Sequence, residues 1–379
     1  MSIIDRYLLR KFVQTFLICF STLMGLYVVL DVTTNLEEFR NCGDKAGGLF
    51  LFILHFYACK AIGFFDNTSA LLALVSAMFT VAWIQRHNEM TALMAAGVPR
   101  IRVLLPLIIA VAVVSLLASV NRETLMPRYR RELARRPQDP MGDQAQSLVQ
   151  RCDFRTDVVL QGRHTFADKE RIEAPEFRLP ASLGQYGGAL TAENAYWKPA
   201  AGARPSGYLF VGVREPKNLD TRPSLSLRDR PVLITPRDAP DWLRPNECFL
   251  ASDVDFDQLT PGNNTRQFSS TAQLIRGLQN PSSNYGPEVR VAIHTRFVQP
   301  LLDLTLLMLG LPLVVGRESR NVFLAMGFCM VVTTAFTLVV IGAQYLGSSS
   351  WILTPSLAAW IPLMIFVPPA VWLAELLWK

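Results

Sequence analysis

Long apolar runs without charged side chains occupy both ends of this chain and constrain its fold more than any other feature. The runs are Phe12–Leu30, Asn67–Gln85, Val103–Asn121, Phe297–Val315, whose one charge is Asp303, and Asn321–Ala374. A membrane helix needs about 20 mostly apolar residues, and the last run is long enough for two, with Gly347–Ser350 as the turn between them. The pattern predicts six transmembrane helices, three on each side of a central segment.

The charged residues are concentrated in that central segment. Residues 122–296 hold 25 of the 37 basic and 21 of the 31 acidic side chains. The net charge of +6 is spread without a basic block, which excludes a nucleic-acid-binding domain, and the apolar ends exclude a single soluble globule. We therefore expect an integral membrane α-helical protein, with helices 1–3 in residues 1–121, one aqueous domain in residues 122–296, and helices 4–6 in residues 297–379.

A shorter apolar run, Leu49–Cys59, precedes the second span and ends at Lys60. It is too short to cross a bilayer alone. Two interpretations stay open: a separate membrane segment, or an interfacial or bent lead-in to the second span, which we favour.

Lysine and arginine residues in the short loops predict the orientation of the spans. One side of the membrane receives Arg6, Arg10, Lys11, Arg86, Arg100, Arg102, Arg317, Arg320 and Lys379. The short loops of the opposite side carry only Arg40 and Lys45. Because the basic side of a membrane protein faces the cytoplasm, we expect both termini in the cytoplasm and the central domain across the membrane.

Short extended runs broken by Pro, Gly, Asn and Asp fill the central segment. Gly207–Val213, Pro231–Ile234 and Cys248–Phe256 are typical of strands. Many short strands without a helical period predict an inserted antiparallel β-domain of the sandwich or jelly-roll kind, whose open edge could accept a strand from a β-rich partner. Its interior is either fully packed or an apolar trough for lipid, and Cys152 and Cys248 are either bridged or two buried thiols.

The sequence lacks the residue groupings typical of an enzyme or a cofactor site, and we expect no cofactor. There is no Gly-Lys pair for a phosphate-binding loop, no His-x-x-x-His zinc pair and no Gly-x-Ser-x-Gly elbow. Asp66 and Asp303, in or beside the spans, are candidates because intramembrane charges usually mark function. The alternative for Asp303 is simple packing against a polar partner across the bundle.

The loop between the second and third spans predicts a short amphipathic helix near residues 88–97. Asn88 is a good N-cap, Glu89 lies in the first turn, and Gly97 ends the helix. One apolar stripe follows the helical period and consists of Met90, Leu93, Met94 and Gly97. Such a helix either packs under the lipid headgroups or docks in a groove of a cytoplasmic partner and transmits motion from a separate ATPase.

Three segments together resemble the LptF/LptG family, the permeases of the lipopolysaccharide exporter. They are Ile4–Arg10, the loop Gln85–Glu89 continuing to Ala96-Gly97, and Phe297–Leu301 at the start of the fourth span. The resemblance implies a bacterial inner-membrane protein with six spans and a periplasmic β-jelly roll. It implies a lipid substrate, a second permease of the family, a cytoplasmic ATPase dimer in trans that Glu89 engages, and a periplasmic β-jelly-roll protein as partners.

The family admits lipid between the first span of one permease and the fifth of the other, and commonly places lysines at the outer end of the first span. This chain has Asp31, Glu37 and Glu38 there, with Arg40 and Lys45 as the basic residues. We take Asp31, Arg40 and Lys45 as the candidate gate and headgroup residues. Three explanations stay open: a passive first span in an asymmetric pair, a divalent cation bridging Asp31 to a phosphate, or a less anionic lipid.

The function predicted from these features is a permease subunit of an ABC-type exporter that extracts lipopolysaccharide or a related lipid and passes it to a periplasmic bridge. Such a subunit is not an enzyme, because a separate subunit hydrolyses ATP. The alternatives are an envelope scaffold that docks β-rich proteins without transport, and a membrane-embedded lipid-modifying enzyme. Co-purification with an ATPase separates the exporter from the scaffold.

Overall fold

The computed structural model describes most of the chain. The described residues are 3–45, 48–181, 187–202, 204–227, 230–239, 241–260, 266–282, 285–315, 322–349 and 353–378. Long helices and one antiparallel β-sheet dominate this part of the chain, and the sheet lies in sequence between the third and fourth long helices. The predicted integral membrane fold with an inserted antiparallel β-domain is confirmed.

Six helices within these residues have the length and composition of membrane spans, as predicted. They are α1 (Ile3–Thr34), α3 (Leu49–Arg86), α5 (Arg100–Arg128), α8 (Pro287–Val315), α9 (Val322–Ser348) and α10 (Pro355–Trp378). The shorter helices are α2 (Leu36–Lys45), α4 (Glu89–Ala95), α6 (Arg130–Ala134) and α7 (Thr271–Gln279).

The second span is one continuous helix of 38 residues, and Leu49–Cys59 forms its first part rather than a separate membrane segment. At 1.5 Å per residue, α3 is about 57 Å long, whereas the hydrocarbon core is about 30 Å thick. The third and fourth spans also continue past their apolar runs, because α5 ends at Arg128 and α8 begins at Pro287. The β-domain is therefore joined to the bundle through helical extensions.

The spans pack around one apolar core. Its buried side chains include Leu74 of α3, Leu104 and Leu107 of α5, and Leu307 and Leu311 of α8. Two glycines permit close helix contacts. A Cβ atom at Gly310 would lie 2.7 Å from Leu74, and one at Gly347 would lie 2.3 Å from the Cβ of Ala358 on α10. Contact through small residues is a common way for membrane helices to associate.

The β-domain is a branched antiparallel sheet. Its strands are β1 (Gln146–Ser147), β2 (Arg151–Asp153), β3 (Val158–Leu160), β4 (His164–Phe166), β5 (Arg171–Glu173), β6 (Glu176–Arg178), β7 (Ala189–Lys198), β8 (Gly207–Glu215), β9 (Leu225–Leu227), β10 (Arg230–Ile234) and β11 (Glu247–Ala251). The main order is β1-β4-β5-β7-β8-β11-β10-β9. A branch of β2, β3 and β6 also joins β7, because β6 pairs with its first residues and β5 with its later ones.

Side chains from both branches of the sheet share one core, which includes Phe177 of β6 and Tyr208 and Phe210 of β8, all fully buried. This packing favours the filled interior over a lipid trough. The predicted strands at residues 207–213 and 231–234 are present as β8 and β10. The third prediction was too long, because β11 ends at Ala251 and the chain then leaves the sheet. Cys152 and Cys248 are free thiols.

Candidate functional site

The short helix α4 packs its apolar stripe onto the bundle. Met90 is only 4% exposed, and Leu93 and Met94 pack against the same core. The outward surface is formed by exposed small residues, namely Thr91, Ala92, Ala95 and Ala96. Met90, Leu93 and Met94 therefore hold α4 in place, and the surface that α4 offers to a partner is the opposite one.

The two ends of α4 differ in how well the sequence predicted them. Asn88 has a left-handed backbone with φ 56°, and its side chain makes no capping hydrogen bond. Asn88 therefore occupies the predicted N-cap position, but it lacks the extended geometry and the side-chain bond that an N-cap normally has. Its N–H instead donates to the Gln85 carbonyl and closes a tight turn after α3. Gly97, with φ 80°, ends the helix, and the Val98 N–H donates back to the Leu93 carbonyl.

Glu89 connects α4 to the first span. Its Oε1 accepts a hydrogen bond from Tyr7 Oη at 3.3 Å. Next to Tyr7 on α1, Leu8 and Phe12 are buried in the bundle core. The half-buried carboxylate of Glu89 is thus held at the junction of α4 with the anchored end of α1.

Asp31, at the other end of α1, is engaged within the chain. Its Oδ2 accepts a hydrogen bond from Tyr57 Oη of α3 at 2.6 Å, and its backbone carbonyl accepts one from Asn35 Nδ2 at 2.8 Å. Arg40 lies at the surface of α2, and the side chain of Lys45 lies outside the described residues. Asp31, one of the three gate candidates, therefore connects α1 to α3. The sequence did not indicate this contact.

The intramembrane acids Asp66 and Asp303 both have buried polar partners. Asp66 is bound by Arg122 of α5, whose Nε lies 3.0 Å from Oδ1 and 3.2 Å from Oδ2. Asp303 is 7% exposed and accepts hydrogen bonds from Ser115 Oγ across the bundle at 2.5 Å and from Gln299 Nε2 at 2.9 Å. Ser115 is the polar partner across the bundle that the packing interpretation of Asp303 expects. Sequence reasoning missed Arg122, although it directly follows the third apolar run.

An apolar groove of about 500 Å³ runs between α3 and α9. It is lined by Leu71, Leu74, Val75, Met78 and Phe79 of α3 and by Cys329, Met330, Thr333, Thr334, Thr337 and Leu338 of α9. The hydroxyls of Thr334 and Thr337 donate to carbonyls of their own helix, at 2.8 Å and 2.9 Å. Because these two hydroxyls are already satisfied, hydrocarbon packed against them leaves neither of them unpaired.

The same two helices border a polar cleft of about 930 Å³ one turn beyond the groove. α3 contributes Asp66 and Asn67, α9 contributes Gln344 and Tyr345, and the other walls come from α5, α8 and the base of the β-domain. Four arginines and three carboxylates line it, namely Arg122, Arg151, Arg266 and Arg296 with Asp66, Asp257 and Glu288. An apolar space and a polar space thus follow each other along one pair of helices.

The first and fifth spans are the least buried. Within an apolar stretch of 18 residues, only 11% of α1 and 17% of α9 is buried inside the protein, against 61% for both α3 and α8. α1 contacts α3 largely through aromatic rings, with Phe20 lying 5.8 Å from Phe64 and Tyr27 lying 6.0 Å from Tyr57 between ring centroids. Two apolar helices with so little cover within the chain are available for contacts with lipid or with another membrane protein.

Comparison with known protein families connects these features. The family described as lipopolysaccharide export system permease LptF/LptG matches residues 6–157 and 246–376. The matched segments include the six spans, α4 and both walls of the groove, whereas residues 158–245, which hold β3 to β10, lie between them. No curated protein matched the chain.

Proposed function

Because the chain belongs to the LptF/LptG family of lipopolysaccharide export permeases, we propose that it carries lipid from the groove between α3 and α9 into the polar cleft beyond it. Family membership and the six apolar helices make it a multi-pass protein of the inner membrane. The observation that carries the proposal is the succession of the two spaces along one helix pair. Acyl chains fit the groove, and a phosphate-bearing headgroup fits a polar cleft in which arginines outnumber carboxylates by four to three.

A second permease of the same family completes the lipid path in this proposal. Lipid enters between α9 of this chain and the first span of the partner, or between α1 of this chain and the fifth span of the partner. The low burial of α1 and α9 supports this arrangement, since these spans have the most uncovered apolar surface. Both spans lack charged residues in their apolar runs, so they can separate without moving a charge into hydrocarbon.

Asp31 does not serve as a headgroup ligand in this proposal. Its carboxylate is engaged by Tyr57, and a free carboxylate would repel a phosphate. We assign headgroup contact to Arg151, Arg266 and Arg296 of the cleft and to Arg40, because Arg122 is already paired with Asp66. This assignment corresponds to the passive first span of an asymmetric pair, and it needs no bridging cation.

The energy comes from a cytoplasmic ATPase dimer that docks on α4. The docking surface is the exposed face of Thr91, Ala92, Ala95 and Ala96, with Glu89 at its edge. An exposed face of small residues allows close approach of a partner backbone, and Glu89 can pair with a basic residue of that partner. This placement requires both termini of the chain to be cytoplasmic, as the short-loop charges predict.

The β-domain receives a periplasmic β-protein by strand addition. In the described part of the sheet, β1 and β9 are terminal strands, each with one paired neighbour. An unpaired strand edge offers backbone donors and acceptors that a second sheet can continue. Such a partner would take up lipid that leaves the cleft.

Photocrosslinking along the proposed path tests this function. A photoreactive amino acid is placed at Thr333 in the groove, at Gln344 in the cleft and, as a control, at Met364, which is 64% exposed on α10 away from both. We expect lipopolysaccharide adducts at Thr333 and Gln344, with ATP turnover changing their ratio, and only background lipid at Met364. Equal labelling at all three positions would contradict the path and favour the scaffold alternative.

A further inference from the structure

Lys60 of α3 holds the connector that leads into the β-domain. Its Nζ donates to the Leu133 carbonyl at 2.7 Å and to the Arg135 carbonyl at 2.6 Å. We infer that Lys60 and Gly63 form a docking point for α6, and that this contact transmits movement of α4 to the β-domain during transport. The inference rests on the proposed function and adds a positioning role for two residues outside the lipid path.

The hydrogen bonds of Lys60 satisfy the end of α6. The last carbonyls of a helix have no partner within it, and a lysine ammonium has three donors and commonly caps them. Leu133 and Arg135 are in the last turn and at the C-cap of α6. The ammonium group of Lys60, beside the apolar run of α3, is thereby engaged in hydrogen bonds within the chain.

Gly63 supplies the second feature of the docking point, one helical turn after Lys60. A Cβ atom at Gly63 would lie 3.1 Å from Cδ2 of Leu133. Leu133 is only 4% exposed, so its side chain fills the space that the glycine leaves. The two residues hold α6 in different ways, Lys60 by hydrogen bonds to its backbone and Gly63 by admitting its buried side chain.

α6 also contacts the β-domain, through two ion pairs. Arg131 Nη2 lies 2.6 Å from Oε1 of Glu170, in the turn between β4 and β5. Arg130 Nη2 lies 3.8 Å from Oδ2 of Asp257, beyond the end of β11. α6 therefore lies between the second span and the base of the sheet and has polar contacts with both.

The other end of α3 leads directly to α4. Only His87 and Asn88 separate the two helices, and Asn88 closes the tight turn between them. Between Arg86 and Lys60 the helix is unbroken. Coupling between distant sites needs contiguous packed elements, and a continuous helix is such an element. A tilt of α3 driven at α4 therefore displaces α6, and with it the β-domain.

The test uses the permease with its partner subunits, purified from its own membrane into lipid nanodiscs that contain lipopolysaccharide. Spin labels at Asn218 of the β-domain and at Met364 of α10 report the distance between sheet and bundle with and without ATP. Lys60→Met removes the donors but keeps the apolar stem, and Lys60→Arg is the matched control that keeps donors. We expect Lys60→Met to abolish the ATP-dependent distance change and to lower lipid release per ATP by roughly tenfold. Lys60→Arg should keep both the distance change and the lipid release near the parent values.

Two further measurements make each outcome decisive. The Thr333 crosslink and ATP hydrolysis should persist in Lys60→Met, because lipid loading and ATPase docking lie elsewhere. If the parent loads no lipid at Thr333, the proposed function fails. If the parent loads lipid, and Lys60→Met shows the same ATP-dependent distance change and the same lipid release as the parent, only this inference is overturned. Should Lys60→Met fail to fold, Gly63→Val displaces Leu133 instead and must give the same loss, and parent-like behaviour in it overturns the inference.

Discussion

Arg122 holds Asp66 through a two-point contact, with Nε 3.0 Å from Oδ1 and Nη2 3.0 Å from Oδ2. Both side chains are largely buried, Arg122 being 18% and Asp66 8% exposed. The contact joins α3 to α5 in the lining of the polar cleft. Because the two charges compensate each other, Arg122 mainly stabilises the structure and attracts anions only weakly.

Arg122→Met should therefore destabilise the protein by about 3 to 5 kcal/mol, because it leaves a buried carboxylate without its partner. The measurement is the free energy of unfolding in mild detergent. The matched control is the double variant Asp66→Leu with Arg122→Met, which should recover most of the loss since no charge is left unpaired. Equal destabilisation by the single and double variants would mean that the pair is not the cause.

Glu89→Ala should lower export without preventing the protein from folding. A carboxylate in the first turn of a helix contributes a few tenths to about 1 kcal/mol to stability, so the variant should still fold. Loss of its partner in the ATPase should lower export at least about tenfold. Tyr7→Phe is the control, because it removes the hydrogen bond to Glu89 but leaves the carboxylate. Normal substrate-stimulated turnover in Glu89→Ala would remove the coupling role from this residue.

Asp31 and Tyr57 should be energetically coupled. Hydrogen bonds to charged groups contribute about 1.5 to 3 kcal/mol, and this one joins the outer part of α1 to α3. A double-mutant cycle with Asp31→Asn and Tyr57→Phe should give a coupling energy of that size in unfolding experiments. Export by Asp31→Asn should stay near the parent level. An additive cycle would mean that the two side chains are not coupled. Severe loss of export in a folded Asp31→Asn protein would assign the carboxylate to substrate binding instead.

Glu170 should give the β-domain a pH-dependent stability. Burial raises the pKa of its carboxyl above the ordinary value of 4.5, and the nearby Arg131 only partly offsets this rise. The folded state then binds more protons than the unfolded state, so this contribution is full below about pH 4.5 and is lost as the pH rises through the folded-state pKa. Glu170→Gln should flatten the dependence, measured by urea unfolding between about pH 4 and pH 7.

The control for this pH dependence is Glu176→Gln, since Glu176 is exposed on β6. That variant should keep the slope of the parent. A slope that survives in Glu170→Gln would place the responsible group elsewhere in the domain.

The orientation of the chain can be tested with single cysteines in a background without the six native ones. Asn218 and Asn88 are both exposed, the first in the β-domain and the second before α4. A maleimide that cannot cross the membrane should label Asn218→Cys in intact cells and should reach Asn88→Cys only after permeabilisation. The reverse pattern would invert the topology and remove the docking surface from the cytoplasm.

The six spans were predictable because a helix is nearly the only structure that an apolar run of this length can form in a bilayer. The periodicity also predicted α4, but it could not say whether Met90 and Leu93 face a partner or the bundle. Asn88 shows a second limit. Its side chain suits an N-cap, yet the two-residue connection after α3 requires a left-handed residue there.

The polar contacts were not predictable, since they join residues far apart in sequence. Asp31 and Tyr57 are 26 positions apart, and Asp66 and Arg122 are 56 apart. Which residues meet depends on the rotation of each helix about its axis, and packing against all neighbours sets that rotation. The groove has the same origin, because its walls are α3 and α9 from opposite ends of the chain.

The close contact at Gly347 gives α9 the mechanics of a lever. A Cβ atom there would lie 2.3 Å from Ala358 and 3.1 Å from Val291, so α9 is pinned at this end between α10 and α8. A helix of 27 residues is about 40 Å long, and a tilt of about 10° about this pivot moves its far end by roughly 7 Å. We expect the groove to widen most at the end away from the β-domain, so a lipid would be gripped by its headgroup end while its acyl chains are still free to slide.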